Sequence, residues 1–544
     1  MNKFTKQCVA AVASLAMAGT LCVAGAVVAG SSAWAADTCN NGAPWDAACA
    51  TQKGSIKITK YKDEANDDGT QKKATKVKDA KFTVTKVTNF NLTQYKDWLD
   101  VAAKVKTLNA TPNSTEGLTF GTPEEKKTDT DGVADFKNLE IGLYKVEETQ
   151  AADGYQKLAN PFFMTVPEIT RKDGNNTYKY DVTVDPKNAY TKDAIDKTAD
   201  TSSMVGAEDT LPYTIKTTVI TTTNTPVKDR TKDDYKDFAV WDDALISAYD
   251  GMSTLDATKA KALVKEVKIG DTTITDDKYT VTVADSDVDK GTTATRKRIT
   301  VGFTDDGLTA IATALAAKPN AKLTVTFKFK LSKTVAAGDL VNKYGFQQGH
   351  KTGDPKPTPD PDPTPGPGSK VTLRDFQIKK VNGADTSKTL AKAKFAIFAK
   401  KADADACAAD KDRAAANCSS KSSYAAGFTN KESGTGNDGL TTAFRAKVGQ
   451  EFYVVETVAP DGFVLSPAVD KVTIPNEKLT TAYVHDFKDL PNGGPDGNGK
   501  SWFNLPKTGA AGVIIFALVG LGLVGSGMFV FLKNRKKEEE QQAA

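Results

Sequence analysis

The chain has 544 residues, with 72 Lys plus Arg against 68 Asp plus Glu. That near balance, with no basic block or interleaved aromatic stripe ahead of the C-terminal tail, argues against a nucleic-acid binder. Only two histidines, His350 and His485, are present, which is too few for the usual His-dependent metal site or hydrolase, and no G-x-S-x-G string offers a serine nucleophile.

Taken in chain order, Lys3 and Lys6 precede an apolar stretch from Cys8 to Ala29, and Ala33-Trp34-Ala35 supplies the small residues of a cleavage site. This reads as a signal peptide over residues 1–35, cut after Ala35 or Ala36, so the rest of the chain is exported. Cys8 and Cys22 leave with it. The remaining cysteines fall into local pairs, and outside the cell these predict two short-loop disulfides, Cys39 to Cys49 and Cys407 to Cys418.

Runs such as Ser55-Ile56-Lys57-Ile58-Thr59-Lys60, Lys179 to Val184, Tyr213 to Val219 and Lys322 to Phe327 are short, rich in Thr and Val, and alternate in polarity. Such alternation predicts half-buried strands, and many of them separated by turns predict β-sandwiches. Short helices are expected at Leu92 to Leu108 and at Gly307 to Ala317. A boundary near Asn188 and a proline-rich spacer around Asp354 to Gly368 then divide the exported part into three modules. These are residues 36–190, 191–350 and 371–490, with the linker at 351–370 and a C-terminal segment at 491–544. The expected class is all-β: three tandem immunoglobulin-like sandwiches in an elongated rod.

Ala510 to Leu532 holds no charged residue and is long enough for one membrane-spanning helix, and Lys533, Arg535, Lys536 and Lys537 follow at once. The positive-inside tendency places that tail in the cytoplasm and the bulk outside. Immediately upstream, Leu505-Pro506-Lys507-Thr508-Gly509 followed by the span and the basic tail resembles the cell-wall sorting signal that sortase transpeptidases recognise. The resemblance implies a precursor that spans the membrane transiently and a product anchored to peptidoglycan.

Two further strings carry chemistry. Tyr144 to Tyr155 lines up with Phe452 to Phe463, placing Glu148 and Glu456 at the same position. On an alternating strand each shares a face with a valine two residues earlier, Val146 or Val454, and so points inward, where a lone carboxylate is costly. These strings resemble the E-box of Gram-positive pilins and related adhesins, whose CnaB-type and CnaA-type domains form spontaneous isopeptide bonds without a cofactor. There a first-strand lysine attacks an Asn or Asp side chain on the last strand while a buried acid shuttles protons.

Carried over to this sequence, the resemblance implies Lys380, Glu456 and Asp486 in the third module, with Lys379 a competing nucleophile. It implies Lys197, Asp243 and Asn342 in the middle module, with Asp242 the alternative acid. In the first module Lys60, Glu148 and Asn188 fit by position, although some similar pilins have no bond there. The acids are autocatalytic only; the chain is not read as a turnover enzyme.

Tyr178-Lys179-Tyr180-Asp181-Val182-Thr183-Val184-Asp185-Pro186-Lys187-Asn188 is similar to the pilin motif WxxxVxVYPK. It implies that Lys187 is the polymerising nucleophile, presented at an exposed strand end, and that a pilus-specific sortase joins it to Thr508 of the next subunit. The expected partners are that sortase, a housekeeping sortase, identical subunits, tip and base pilins, peptidoglycan and a possible host surface ligand. The alternative is a monomeric wall-anchored adhesin that binds a host matrix protein or glycan.

Overall fold

The computed structural model describes residues 39, 41–358, 367–422 and 438–494. The expected signal peptide, LPKTG string and spanning segment lie outside the described residues. The chain divides into two compact units, one ending at Thr372 and the other beginning at Leu373.

The first unit opens with β1 (Gly54–Thr59), β2 (Tyr61–Lys62), β3 (Lys81–Val87), α1 (Tyr95–Ala110), β4 (Glu124–Lys127), β5 (Val133–Leu139), β6 (Gly142–Gln150) and β7 (Phe162–Val166). A hairpin of β8 (Glu168–Lys172) and β9 (Asn175–Lys179) follows, then β10 (Asp181–Val184) and β11 (Lys187–Asn188). One sheet runs β10-β1-β5 and the other β4-β3-β6-β7, while β11 lies parallel to β2. The alternation in β1 does what its polarity dictates: Ile56 and Ile58 are buried and Lys57 is exposed. Opposite them in register stand Val182 and Val184 of β10, and the core between the sheets is completed by Phe82, Phe136 and Val146. Each such side chain contributes about 1.5 to 3 kcal/mol by leaving water.

Helix α1 covers a second cluster through Trp98, Val101 and Leu108. It begins three residues later than its sequence suggests because Asn91 accepts hydrogen bonds from the backbone and hydroxyl of Thr93, which favours a turn over helix there. The Trp45 ring packs edge-on against Tyr95, Trp98 and Tyr178, which seats the loop closed by the Cys39–Cys49 disulfide.

The same unit continues with β12 (Ile195–Ala199), β13 (Thr210–Thr218), β14 (Ala239–Leu245), α2 (Ala257–Leu263), β15 (Val264–Ile269), β16 (Thr272–Thr273) and β17 (Tyr279–Ser286). It closes with β18 (Arg296–Phe303), α3 (Asp305–Ala317), β19 (Lys322–Lys330), β20 (Gly338–Val341) and β21 (Lys343–Gln347). Its sheets are β12-β13-β19-β15-β16 and β17-β18-β14-β21. Tyr213 faces Phe327 and Ile215 faces Val325 across β13 and β19, all four buried. Helix α3 starts where Thr304 accepts from the Gly307 amide as an N-cap, and buries Leu308, Ile311 and Leu315 at helical spacing.

The second unit holds β22 (Lys370–Asn382) from Leu373 onward, then β23 (Asp385–Thr389), β24 (Lys394–Phe398), α4 (Lys401–Ala409), β25 (Phe444–Lys447), β26 (Glu451–Val458), β27 (Val469–Thr473) and β28 (Tyr483–Asp489). Strand β22 pairs with β23, β25 and, in parallel, β28; the facing sheet is β24-β26-β27. The Cys407–Cys418 disulfide ties α4 to the turns after it. As expected, the class is all-β with few helices.

Candidate functional site

Among the described residues, three lysines, Lys60, Lys197 and Lys380, are wholly excluded from solvent. A buried ammonium is costly unless it is paired, so each position calls for a partner. Each has one.

Lys60 sits between β1 and β2. Its Nζ donates to Asn188 Oδ1 at 2.7 Å and lies 3.4 Å from Glu148 Oε2. Glu148 in turn accepts from Asn188 Nδ2 at 2.7 Å through Oε1 and from the Leu158 amide at 2.8 Å through Oε2. One carboxyl therefore bridges the amine and the amide nitrogen. Burial, opposed by Glu148, lowers the Lys60 pKa to about 8, and the Phe82 ring lies 5.3 Å from Nζ.

The second unit repeats this plan. Lys380 Nζ lies 2.6 Å from Glu456 Oε1 and 3.2 Å from Asp489 Oδ2, at ion-pair distance but off the line of well-formed hydrogen bonds. The Ser466 amide donates to Glu456 Oε2 at 2.9 Å, and the Phe395 ring stands 5.7 Å from Nζ. Burial raises the pKa of both Glu456 and Asp489, against the pull of Lys380.

Asp486, expected from sequence as the acceptor, is exposed, whereas Asp489 is 3% exposed. The reason is parity. On β28 the inward positions are Phe487 and Asp489, and the strand runs two residues beyond Phe487, where sequence reading ended it. The ladder gives the same equivalence: the bridge Tyr155 to Tyr190, two residues past Asn188, is matched by Phe463 to Pro491, two residues past Asp489. Of the two adjacent lysines Lys380 faces the core, and Lys379 is partly exposed.

In the middle sandwich Lys197 Nζ lies 2.5 Å from Asp242 Oδ2 and donates to the Lys343 carbonyl at 3.3 Å. Asn342 donates its Nδ2 to the same Asp242 oxygen at 3.3 Å, leaving its buried Oδ1 without a hydrogen bond. Burial lowers Lys197 to about 8 against the attraction of Asp242, and raises Asp242 against Lys197.

Asp243, the acid expected from sequence, is turned to the opposite face. There it accepts two 2.8 Å hydrogen bonds from Arg298, whose guanidinium also covers Trp241. Val240 to Ala244 are buried without a break, so polarity alone does not distinguish the two acids. Strand parity does, by grouping Asp242 with Val240 and Ala244.

Lys187, expected at an exposed strand end, instead lies in a cleft with its side chain 8% exposed, paired to Asp63. Thr508 and the rest of residues 505–509 lie outside the described residues. Among the described residues no cluster of metal-ligating side chains occurs.

A family model for the SpaA prealbumin-like fold domain matches residues 54–181 and 374–488, the two sandwiches that share the Lys–Glu plan. One for the LPXTG cell wall anchor motif matches residues 503–539. Fimbrial subunit type 1 of Actinomyces viscosus is 28% identical over 570 aligned residues, covering 96% of this chain and 97% of that protein. The full-length major pilin SpaD from Corynebacterium diphtheriae is similar in fold, with a TM-score of 0.53 and 22% identity over 81% of this chain and 98% of that one. With two prealbumin-like fold domains and an LPXTG cell wall anchor motif, and aligned nearly end to end with a fimbrial subunit, the chain is a cell-wall-anchored surface protein similar to Gram-positive fimbrial subunits.

Proposed function

We propose that this subunit forms the shaft of its pilus, with the Lys187 amine joined to the Thr508 carboxyl of the next copy and each sandwich closed by an internal amide bond. The pairs are Lys60 with Asn188, Lys197 with Asn342 and Lys380 with Asp489; Glu148, Asp242 and Glu456 are the proton-transferring acids. A pilus-specific sortase makes the joint between subunits, and a housekeeping sortase passes the last subunit to peptidoglycan. Tip and base pilins complete the assembly.

The observation that carries the mechanical reading is the two-residue strand β11. Lys187 faces the cleft and its neighbour Asn188 faces the core, in contact with Lys60. Tension arriving through a bond at Lys187 would pass within one residue to a covalent tie across the sandwich and bypass the hydrogen-bonded ladder.

The chemistry follows from the contacts. With its pKa lowered by burial, Lys60 reaches the neutral amine more readily than a surface lysine. The amine attacks the Asn188 carboxamide carbon; Glu148 takes the proton from nitrogen and delivers it to the departing amide nitrogen, which leaves as ammonia. At Lys380 and Asp489 the leaving molecule is water. Each bond removes a buried charge pair whose ions each cost several kcal/mol to desolvate.

Denaturing electrophoresis of wall extracts tests the polymer. Wild-type cells should show a high-mass ladder that Lys187→Ala removes while wall-linked monomer persists. A single band in both would instead identify a monomeric adhesin.

A further inference from the structure

Lys187 is not a free surface lysine. Its Nζ donates to Asp63 Oδ1 at 2.7 Å, and the other oxygen of Asp63 accepts from Arg230 Nη2 at 3.1 Å. The three side chains are 8%, 13% and 4% exposed. Asp63 follows β2, which pairs with β11, whereas Arg230 belongs to the middle sandwich and is itself fixed by a 2.8 Å hydrogen bond to the Thr225 carbonyl. The cleft around Lys187 is lined on one side by Asp63 and Gln156 and on the other by Thr221, Thr222 and Thr223.

We propose that Asp63 is a positioning residue for subunit joining, held in aim by Arg230, so that the acceptor of the intersubunit bond is built by two sandwiches and not by the first alone. This rests on the reading of Lys187 as the nucleophile.

A lysine has four rotatable side-chain bonds, and attack on an acyl carbon requires its nitrogen in one narrow arc. Asp63 removes most of that freedom. Arg230 occupies one carboxylate oxygen and leaves the other for the amine, and because a guanidinium does not give up its proton, the acid cannot be neutralised from that side. Burial pushes the Asp63 pKa up, but Arg230 and Lys187 outweigh it and hold it below the ordinary carboxylate value. Asp63 therefore stays an acceptor of hydrogen bonds from the amine and balances the positive charge that nitrogen acquires as it bonds to carbon.

The co-reactant is an acyl thioester formed between Thr508 of another copy and the cysteine of the transpeptidase. The lysine ammonium first loses one proton to free its electron pair. Nitrogen then bonds to the thioester carbon, the carbon–sulfur bond breaks, and the sulfur leaves with the pair. Of the two protons that nitrogen gives up in all, one protonates the departing thiolate and the other passes to water.

The test is pulse-chase of full-length chain in cells that assemble the pilus, following conversion of monomer to ladder. Lys187→Ala should give no ladder; if it polymerises like wild type, the nucleophile reading itself is wrong. With that control silent, Asp63→Asn should slow conversion by at least about tenfold. Arg230→Gln should slow it by a smaller factor, and Asp63→Glu should recover part of the rate, a rescue that general destabilisation would not give. Protease-resistant wall-linked monomer at wild-type level shows that the variants fold. Conversion at the wild-type rate in both Asp63→Asn and Arg230→Gln would overturn the proposal, as would equal slowing by Asp63→Asn and Asp63→Glu.

Discussion

The first and third sandwiches place the same parts in the same frame, yet differ at one atom set. In both, a first-strand lysine meets a β-strand glutamate that also accepts from a backbone amide ten residues further on, beneath a phenylalanine ring. The side chain that completes each cluster, and the proposed acceptor, is Asn188 in one and Asp489 in the other. With an amide acceptor, moving the lysine proton to Glu148 turns the ion pair into neutral amine, neutral acid and neutral amide with no change in bound protons. With a carboxyl acceptor, the fully ionised cluster carries net negative charge, and attack requires both Glu456 and Asp489 protonated: one proton more than the ionised cluster holds. The difference is one of proton count, and it predicts different responses to pH from two sites of nearly the same geometry.

The largest effects should come from removing the acids. Glu148→Ala and Glu456→Ala should each abolish the bond in their own sandwich, so that intact mass keeps one ammonia in the first case and one water in the second. Asp242→Asn should likewise retain one ammonia in the middle sandwich, whereas Asp243→Asn should leave that bond in place. An Asp243→Asn chain lacking the bond would return the acid role to Asp243. Closing a loop of 128 residues, the separation of Lys60 and Asn188, would stabilise by about 4 to 5 kcal/mol if it acts as a disulfide of that span does. Each acid variant should therefore make its sandwich the first to melt.

Exchanging the acceptors sharpens the comparison. In newly synthesised chain, formation of the third-domain bond should slow by about tenfold per pH unit above the apparent pKa of the Glu456–Asp489 pair, while the first-domain bond shows no such fall near neutrality. Asp489→Asn should remove that slope and change the product lost from water to ammonia; Asn188→Asp should install the slope in the first sandwich. Mass spectrometry of cell-free reactions stopped at intervals between pH 6 and 9 reads both. Identical profiles in the two sandwiches would refute the proton count.

How much of this was legible in the sequence depends on how local each signal is. The E-box repeat located Glu148 and Glu456 because a strand's alternation and an internal copy gave the same position. Lys60, Lys197 and Lys380 came from the pilin resemblance, which calls for a first-strand lysine, with Lys379 left in competition with Lys380. Asp489 was missed for want of two residues of strand, although the parity of Phe487 and the length of the equivalent interval in the first sandwich could have found it. Asp242 and Asp243 lie in a run buried on both faces, where composition gives no preference and only the neighbours Val240 and Ala244 point to one of them. The pairing of Lys187 with Asp63 and Arg230 left no local trace. Asp63 lies 124 residues from Lys187 and 167 from Arg230, and nothing in a strand pattern records a contact between two sandwiches.

The smallest effect tests the same contrast at equilibrium, with the bonds prevented by truncating the acceptors. In Asn188→Ala, Lys60 remains an amine whose folded pKa, lowered by burial to about 8, lies below the ordinary value of 10.5. The unfolded chain then binds more protons between those limits, so stability should rise with pH from about 8 to 10.5, by about 3 kcal/mol in all. In Asp489→Ala, Glu456 has its pKa raised, chiefly by burial. Its contribution is fully present below the ordinary glutamate value and should be lost as pH climbs through the raised one. One variant sandwich should thus gain stability in alkali, and the other should lose it on leaving acid. Denaturant melts of the two full-length variants across pH 4 to 11 give both slopes, each checked against a companion variant with the titrating residue replaced, Lys60→Met or Glu456→Gln. If the Lys60→Met companion keeps the alkaline rise, or the Glu456→Gln companion keeps the loss above acid, the charge balance argued for that cluster is wrong.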